Sequence, residues 1–105
     1  MTIDDMYVKI FKALGHPIRM KIVRKLRNGP LCVCTINETV EFSQSNLSQH
    51  LKILKDSGIL KSDKEGLKIM YSIKDEEVKN LLDIAEKIIK NEVESMTNRL
   101  SAEEE

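Results

Sequence analysis

The chain has 105 residues, 17 Lys and Arg balanced by 17 Asp and Glu, and 4% aromatic residues, which bounds it to one domain with a limited core that a partner surface would usefully enlarge. No apolar run approaches the roughly 20 residues of a membrane span, and the N-terminus Met-Thr-Ile-Asp-Asp lacks the basic-then-apolar order of a secretory leader, so a cytoplasmic protein with no membrane partner is expected. Two cysteines only two positions apart make no disulfide framework, so Cys32 and Cys34 are expected to act as thiols in a reducing compartment.

Met6, Ile10 and Leu14, with Val8 and Phe11 beside them, predict a first helix that ends at Gly15. A second begins at Pro17, a favourable first-turn residue, and repeats Ile18, Ile22, Val23 and Leu26 until Asn28-Gly29-Pro30 stops it. His16 reads as an N-cap or a core-edge residue. Thr35-Ile-Asn-Glu38 has the S/T-x-x-E form of a capping box, which predicts a short third helix from there to about Glu41.

Ser43 then caps a fourth helix from about Gln44 to Ser57, closed by Gly58. Leu47, Leu51 and Leu54 fall on one stripe of it, while Ser45, Asn46, Ser48, Gln49, His50 and Lys52 occupy the remaining surface. Small hydroxyls and amides with one cationic chain suit base edges and phosphates. A helix that merely faces water more often carries Glu and Lys pairs. Helices three and four, joined by the Phe42-Ser43 corner, predict a helix-turn-helix.

After Gly58 the period changes. Ile59-Leu-Lys-Ser-Asp63 and Leu67-Lys-Ile-Met-Tyr-Ser-Ile73 alternate apolar and polar residues around Lys64-Glu65-Gly66, as a hairpin does. Asp75 caps a last helix, with Glu76 and Glu77 in its first turn. Its apolar positions Leu82, Ala85, Ile89, Val93, Met96 and Leu100 make a face too apolar to stay alone, and its acidic surface favours a partner helix over a membrane. The fold class read from the chain is mainly α with a small β-hairpin: a winged helix-turn-helix of four helices, a hairpin and a fifth helix. A homodimer through the first and last helices is expected. Residues 1–100 form the single domain and 101–105 an acidic tail expected to fray.

The zero net charge hides an uneven distribution. Residues 9–73 carry 12 Lys and Arg against 5 Asp and Glu, and residues 74–105 carry 5 against 10. A basic body with an acidic C-terminal part can hold a polyanion on one side without coating all nucleic acid. An enzyme is the least expected class, since the two histidines sit before Pro17 and on the helix read as DNA-facing, with no nucleophile and base evident beside them.

Cys32-Val33-Cys34 precedes the third helix. In extended backbone, residues two apart share a side, so the sulfurs can converge, and the adjacent helix N-terminus favours thiolate. Soft thiolates select soft or borderline ions. A disulfide across so short a span would be readily reduced, as a transient switch needs. Inert, packed cysteines are the plain alternative.

These residues resemble the ArsR/SmtB family of metal-responsive winged-helix repressors over roughly residues 6 to 98. The match is carried by Ala13-Leu-Gly-His-Pro-Ile-Arg19, Leu31-Cys-Val-Cys34, Ser43-Gln-Ser45 through Ser48-Gln-His-Leu-Lys-Ile-Leu54, and Lys64-Glu-Gly66 before Tyr71. The resemblance implies a homodimer on double-stranded operator DNA with two-fold symmetry, released when an effector binds. It places Ser43, Gln44, Ser45, Asn46, Ser48, Gln49, His50 and Lys52 on the recognition helix and Lys64 and Lys68 on the wing. Ser45, Asn46, Gln49 and His50 are expected at base edges, and Ser43, Lys52, Lys64 and Lys68 mainly at phosphates. Tyr71 is expected to pack beneath the wing.

By the same resemblance Cys32 and Cys34 are the metal-site residues, with no obligatory cofactor and with trivalent arsenic or antimony, or a soft divalent metal, as inducer. Asn37 stands where arsenic-responsive members often place a third cysteine, and no N-terminal cysteine substitutes for it. Residues 75–105 contain no histidine, so the family's carboxylate and histidine site on the last helix is missing. A thiol redox or persulfide switch on the same cysteines, and a winged-helix protein-interaction module, remain as alternatives.

Overall fold

The computed structural model describes residues 1–39 and 44–104, and the side chains of these apart from 39, 44, 45 and 101–104. In chain order the elements are α1 (Ile3–Leu14), α2 (Pro17–Leu26), β1 (Leu31–Cys32), α3 (Val33–Thr39), α4 (Gln44–Asp56), β2 (Leu60–Glu65), β3 (Lys68–Ile73) and α5 (Glu77–Glu104). The backbone divides into two compact units, Met1–Asp75 and Glu76–Glu105.

Local chemistry sets the helix ends. α1 opens with a full capping box: the Asp5 N–H donates to Thr2 Oγ1 at 3.1 Å, and the Thr2 N–H donates to Asp5 Oδ2 at 3.0 Å. Two donors that would otherwise lack a partner are thereby satisfied. The signal was present as Thr2-Ile-Asp-Asp5, with Asp in the place where Glu or Gln is commoner, and the expected first helix, given an end at Gly15 but no start, did not use it. α2 starts at Pro17, and His16 is its N-cap, with Nδ1 accepting from the Ile18 N–H at 3.1 Å. α4 is followed by Gly58 at φ +83°, the left-handed position that ends a helix cheaply only in glycine.

The first unit packs one apolar core. Ile22, Val23 and Leu26 of α2, Ile36 of α3, Leu51 and Leu54 of α4, Ile59 just before β2 and Leu60 at its start are all at most 2% exposed. Each such side chain contributes about 1.5–3 kcal/mol by leaving water. The stripe Leu47, Leu51 and Leu54 is therefore the buried face of α4, as its spacing required.

Two expectations about the sheet are corrected. The hairpin is part of a three-stranded antiparallel sheet of order β1-β3-β2, in which Leu31 pairs with Tyr71 and Cys32 with Met70. A two-residue strand has no period from which to read it. Lys64 and Glu65 lie in β2 opposite Ile69 and Lys68, and the turn is Gly66-Leu67. Gly66 alone has positive φ, +61°, as the first central residue of a two-residue hairpin turn of the II′ kind requires.

α3 begins at Val33, two residues before the expected start at Thr35. The Ser43 cap and the Phe42-Ser43 corner lie outside the described residues. α5 runs 28 residues and continues through 101–104, where a frayed tail was expected. Ile84, Ile88, Ile89, Val93, Met96 and Leu100 along it are each at least 50% exposed, and so are Ile3, Met6, Tyr7 and Phe11 of α1.

Candidate nucleic-acid interface and cysteine pair

The burial of Leu47, Leu51 and Leu54 turns the opposite side of α4 outward. Asn46, Ser48, Gln49 and Lys52 are exposed there. Lys52 Nζ forms an ion pair with Asp56 Oδ2 at 2.9 Å, one turn along, and both side chains stay more than half exposed. The carboxyl of Asp56 is held below its ordinary range, chiefly by that hydrogen bond. An exposed pair of this kind is screened by solvent and adds little, so Lys52 can exchange its partner for a phosphate at little cost. Gln44 and Ser45 begin α4, and Ser43 lies outside the described residues.

His50 is placed differently from the base-edge position expected of it. Its ring is half-buried and lies 4.7 Å from the His16 ring, centroid to centroid, tilted by 47°. Arg19 Nη1 stands 3.5 Å from His50 Nδ1. Arg19 also donates from Nε to the Ala13 carbonyl at 2.8 Å and from Nη2 to the Lys12 carbonyl at 3.2 Å, at the C-terminal end of α1. Burial, then the neighbouring His16 and Arg19, lower the His50 pKa below its ordinary value. In the sequence Arg19 stood out only as the end of the Ala13–Arg19 segment. Its distance from Ala13 and His50 along the chain gives no local signal of these contacts.

The wing carries Lys64 and Lys68, both exposed, on adjacent strands. Leu67 at its tip is fully exposed and Ile69 about half so. Tyr71 is half-buried in β3, between Leu31 and Ser62 in the register.

Cys32 ends β1, and Cys34 lies in the first turn of α3. Their Cα atoms are 5.3 Å apart, and the two sulfurs, expected as separate thiols, are joined. The convergence follows from the strand-to-helix junction, which turns both side chains to one side. Cys32 is 7% exposed, whereas Cys34 is open to solvent. Cys32 Sγ accepts from the Cys34 N–H at 3.1 Å and from the Thr35 hydroxyl at 3.8 Å. The Thr35 hydroxyl thus faces sulfur rather than opening the helix. Among the described residues, no three His, Cys, Asp or Glu side chains cluster as a metal site.

Residues 16–62 match the bacterial regulatory protein family arsR. An HTH-type transcriptional regulator of Methanocaldococcus jannaschii is 41% identical over 81 residues, 76% of this chain and 91% of that protein. The chain belongs to the ArsR family. The arsenical resistance operon repressor of Bacillus subtilis is 42% identical over 77 residues, 72% of this chain and 73% of that one. A cadmium resistance transcriptional regulatory protein CadC homolog of Staphylococcus aureus is 45% identical over 78 residues, 73% of this chain and 64% of that protein.

Among solved structures, the homodimeric winged helix-turn-helix DNA-binding domain of a possible ArsR-family regulator from Mycobacterium bovis superposes with a TM-score of 0.81 at 25% identity, covering 88% of this chain and 85% of that one. HlyU from Vibrio cholerae, also solved in reduced form, gives 0.74 at 29% identity over 83% of this chain and 95% of its own. As a member of this family the chain is a winged-helix transcriptional regulator and not an enzyme. No helix among the described residues is long and apolar enough to cross a membrane.

Proposed function

We propose that this ArsR-family regulator is a homodimeric repressor whose grip on operator DNA is lowered by a thiol-directed effector at Cys32 and Cys34. The observation that carries the reading is the convergence of the two sulfurs at the junction of β1 and α3. In their reduced form the pair offers one buried and one exposed soft donor, and the Cys34 N–H and Thr35 hydroxyl aimed at Cys32 Sγ stabilise negative charge there. Trivalent arsenic or antimony fits two thiolates with an exogenous thiol or water completing its shell, and a soft divalent ion fits less well without a third protein ligand. The names of the Bacillus subtilis and Staphylococcus aureus relatives, for arsenical and cadmium resistance, point the same way.

On the DNA side, Asn46 and Gln49, with Ser45 beside them, read base edges. Ser43, Gln44, Ser48, Lys52, Lys64 and Lys68 approach the backbone. His50 supports the helix from behind. A second copy of the chain covers the exposed apolar rows of α1 and α5, as the homodimeric neighbour suggests, and sets two recognition helices roughly 34 Å apart.

A second reading has its own support. Two cysteines with Cα atoms 5.3 Å apart at the junction of β1 and α3 suit a redox or persulfide switch; in the redox form, loss of two electrons and two protons to an oxidant closes the Cys32–Cys34 bond. Fluorescence anisotropy of a duplex carrying the protein's own promoter separates the two. With the protein kept reduced, stoichiometric arsenite should release the DNA. Release by a mild disulfide oxidant and indifference to arsenite, antimonite and cadmium would select the redox reading, and indifference to all of them would refute both.

A further inference from the structure

Arg19 joins three parts of the first unit. Its guanidinium, a fork of donors with no acceptor, reaches the Ala13 and Lys12 carbonyls at the end of α1 and His50 Nδ1 on the recognition helix. Because arginine can only donate, His50 meets it only with Nδ1 unprotonated, that is, as the neutral ring with its proton on Nε2. His16, against whose ring His50 leans, has its own Nδ1 committed to the Ile18 N–H as the cap of α2.

We infer that Arg19 is a positioning residue for DNA recognition, acting through neutral His50 to set the angle at which α4 presents Asn46 and Gln49. The inference rests on the DNA-binding reading above and adds a second control to it, independent of the cysteines. Beside the His16 ring contact, the Arg19 guanidinium at His50 Nδ1 links the recognition helix to the α1–α2 corner, and a proton placed on Nδ1 turns that attraction into repulsion between two cations. Among the described residues, His16 and Arg19, at or near the start of α2, both act electrostatically against protonation of His50. From α1 it is the Lys12 and Ala13 carbonyls that hold Arg19 in place, and the contact of β2 with α4 includes Lys55 on Ser62, more than one turn along α4 from His50.

The sign of the pH effect separates this role from a direct one. A histidine lying against phosphate gains charge and strengthens binding as pH falls. Here acidification should weaken it. Affinity for the own-promoter duplex should drop about tenfold more between about pH 8 and about pH 5 in the wild type than in His50→Asn, whose amide oxygen can occupy the Nδ1 position without titrating. Arg19→Gln should bind weakly at both pH values and lose most of the pH dependence, while Arg19→Lys, lacking the planar fork, should recover only part of the affinity.

Long-range ring nitrogen spectra of the free protein provide a readout without DNA. Wild-type His50 should show an unprotonated Nδ1 at neutral pH and titrate below the ordinary histidine range, and Arg19→Gln should raise that midpoint. Binding that strengthens on acidification, a His50→Asn profile that follows the wild type, or a His50 midpoint indifferent to Arg19 would overturn the inference. Failure of every duplex to bind at about pH 8, with the nitrogen spectra as expected, would instead count against the DNA reading and against the positioning role with it, leaving only the ring contact.

Discussion

Cys32 stands opposite Met70 on the β1–β3 ladder, so one member of the cysteine pair belongs to the sheet that also carries the wing. Cys34 lies in the first turn of α3, so α3 and β3 are the two elements that adjoin the pair. A coupling of roughly 1–3 kcal/mol along either route is enough to change operator occupancy usefully.

The asymmetry of the pair makes its reactivity testable. In reduced protein, exposed Cys34 should alkylate faster than buried Cys32 by at least about tenfold. Cys34→Ser and Cys32→Ser should each keep operator affinity within about threefold and lose the response to arsenite or oxidant. Mass spectrometry after timed alkylation gives the order, and a response that survives either serine variant would remove the pair from sensing.

Base readers and phosphate contacts should separate by what they lose. Gln49→Ala should cost about 1–3 kcal/mol on the cognate duplex and little on random DNA, whereas Lys64→Ala should weaken both alike and lower the salt slope by about one. Equal losses on both duplexes for both variants would reverse these roles.

How much of this was legible in the chain depends on the range of each signal. The Leu47, Leu51 and Leu54 stripe repeats within one helix, so its burial could be read from spacing alone, and so could the His16 cap before Pro17. β1 could not, because Leu31 and Cys32 become a strand only by pairing with Tyr71 and Met70, some forty residues away. The same holds for His50. Helical position put it among the outward polar residues, and a long-range contact with Arg19 and His16 turned it inward. Thr35 misled because its capping-box spacing was real but its hydroxyl is used on Cys32 sulfur.

The core should respond as a tightly packed one does. Leu54 has no measurable exposure, and Leu54→Ala removes three carbons from a site bounded by α2 and the sheet, so chemical denaturation should show a loss of about 2–5 kcal/mol. A loss below about 1 kcal/mol would mean that α4 is not seated on this core.

The apolar row on α5 makes the second copy testable. Ile88 is 64% exposed and Met96 50% exposed within one chain. Glutamate at either position would place a charge in the proposed dimer interface, so Ile88→Glu or Met96→Glu should shift sedimentation toward monomer and weaken operator binding by at least about tenfold, while the circular dichroism of the winged domain persists. An unchanged dimer would place the interface elsewhere.

Stability should also depend on pH through His50, and the sign follows from its lowered pKa. In the unfolded chain the ring takes a proton near the ordinary value of about 6.5, while the folded protein resists it. Between those two points the unfolded state binds more protons, so folding stability is complete above the ordinary value and falls as pH drops toward the folded one. Thermal unfolding of the wild type should therefore shift to lower temperature on acidification from about pH 7.5 to about pH 5.5, and His50→Asn should flatten that slope. A slope unaffected by His50→Asn would show that the contact with Arg19 carries no proton-linked stability.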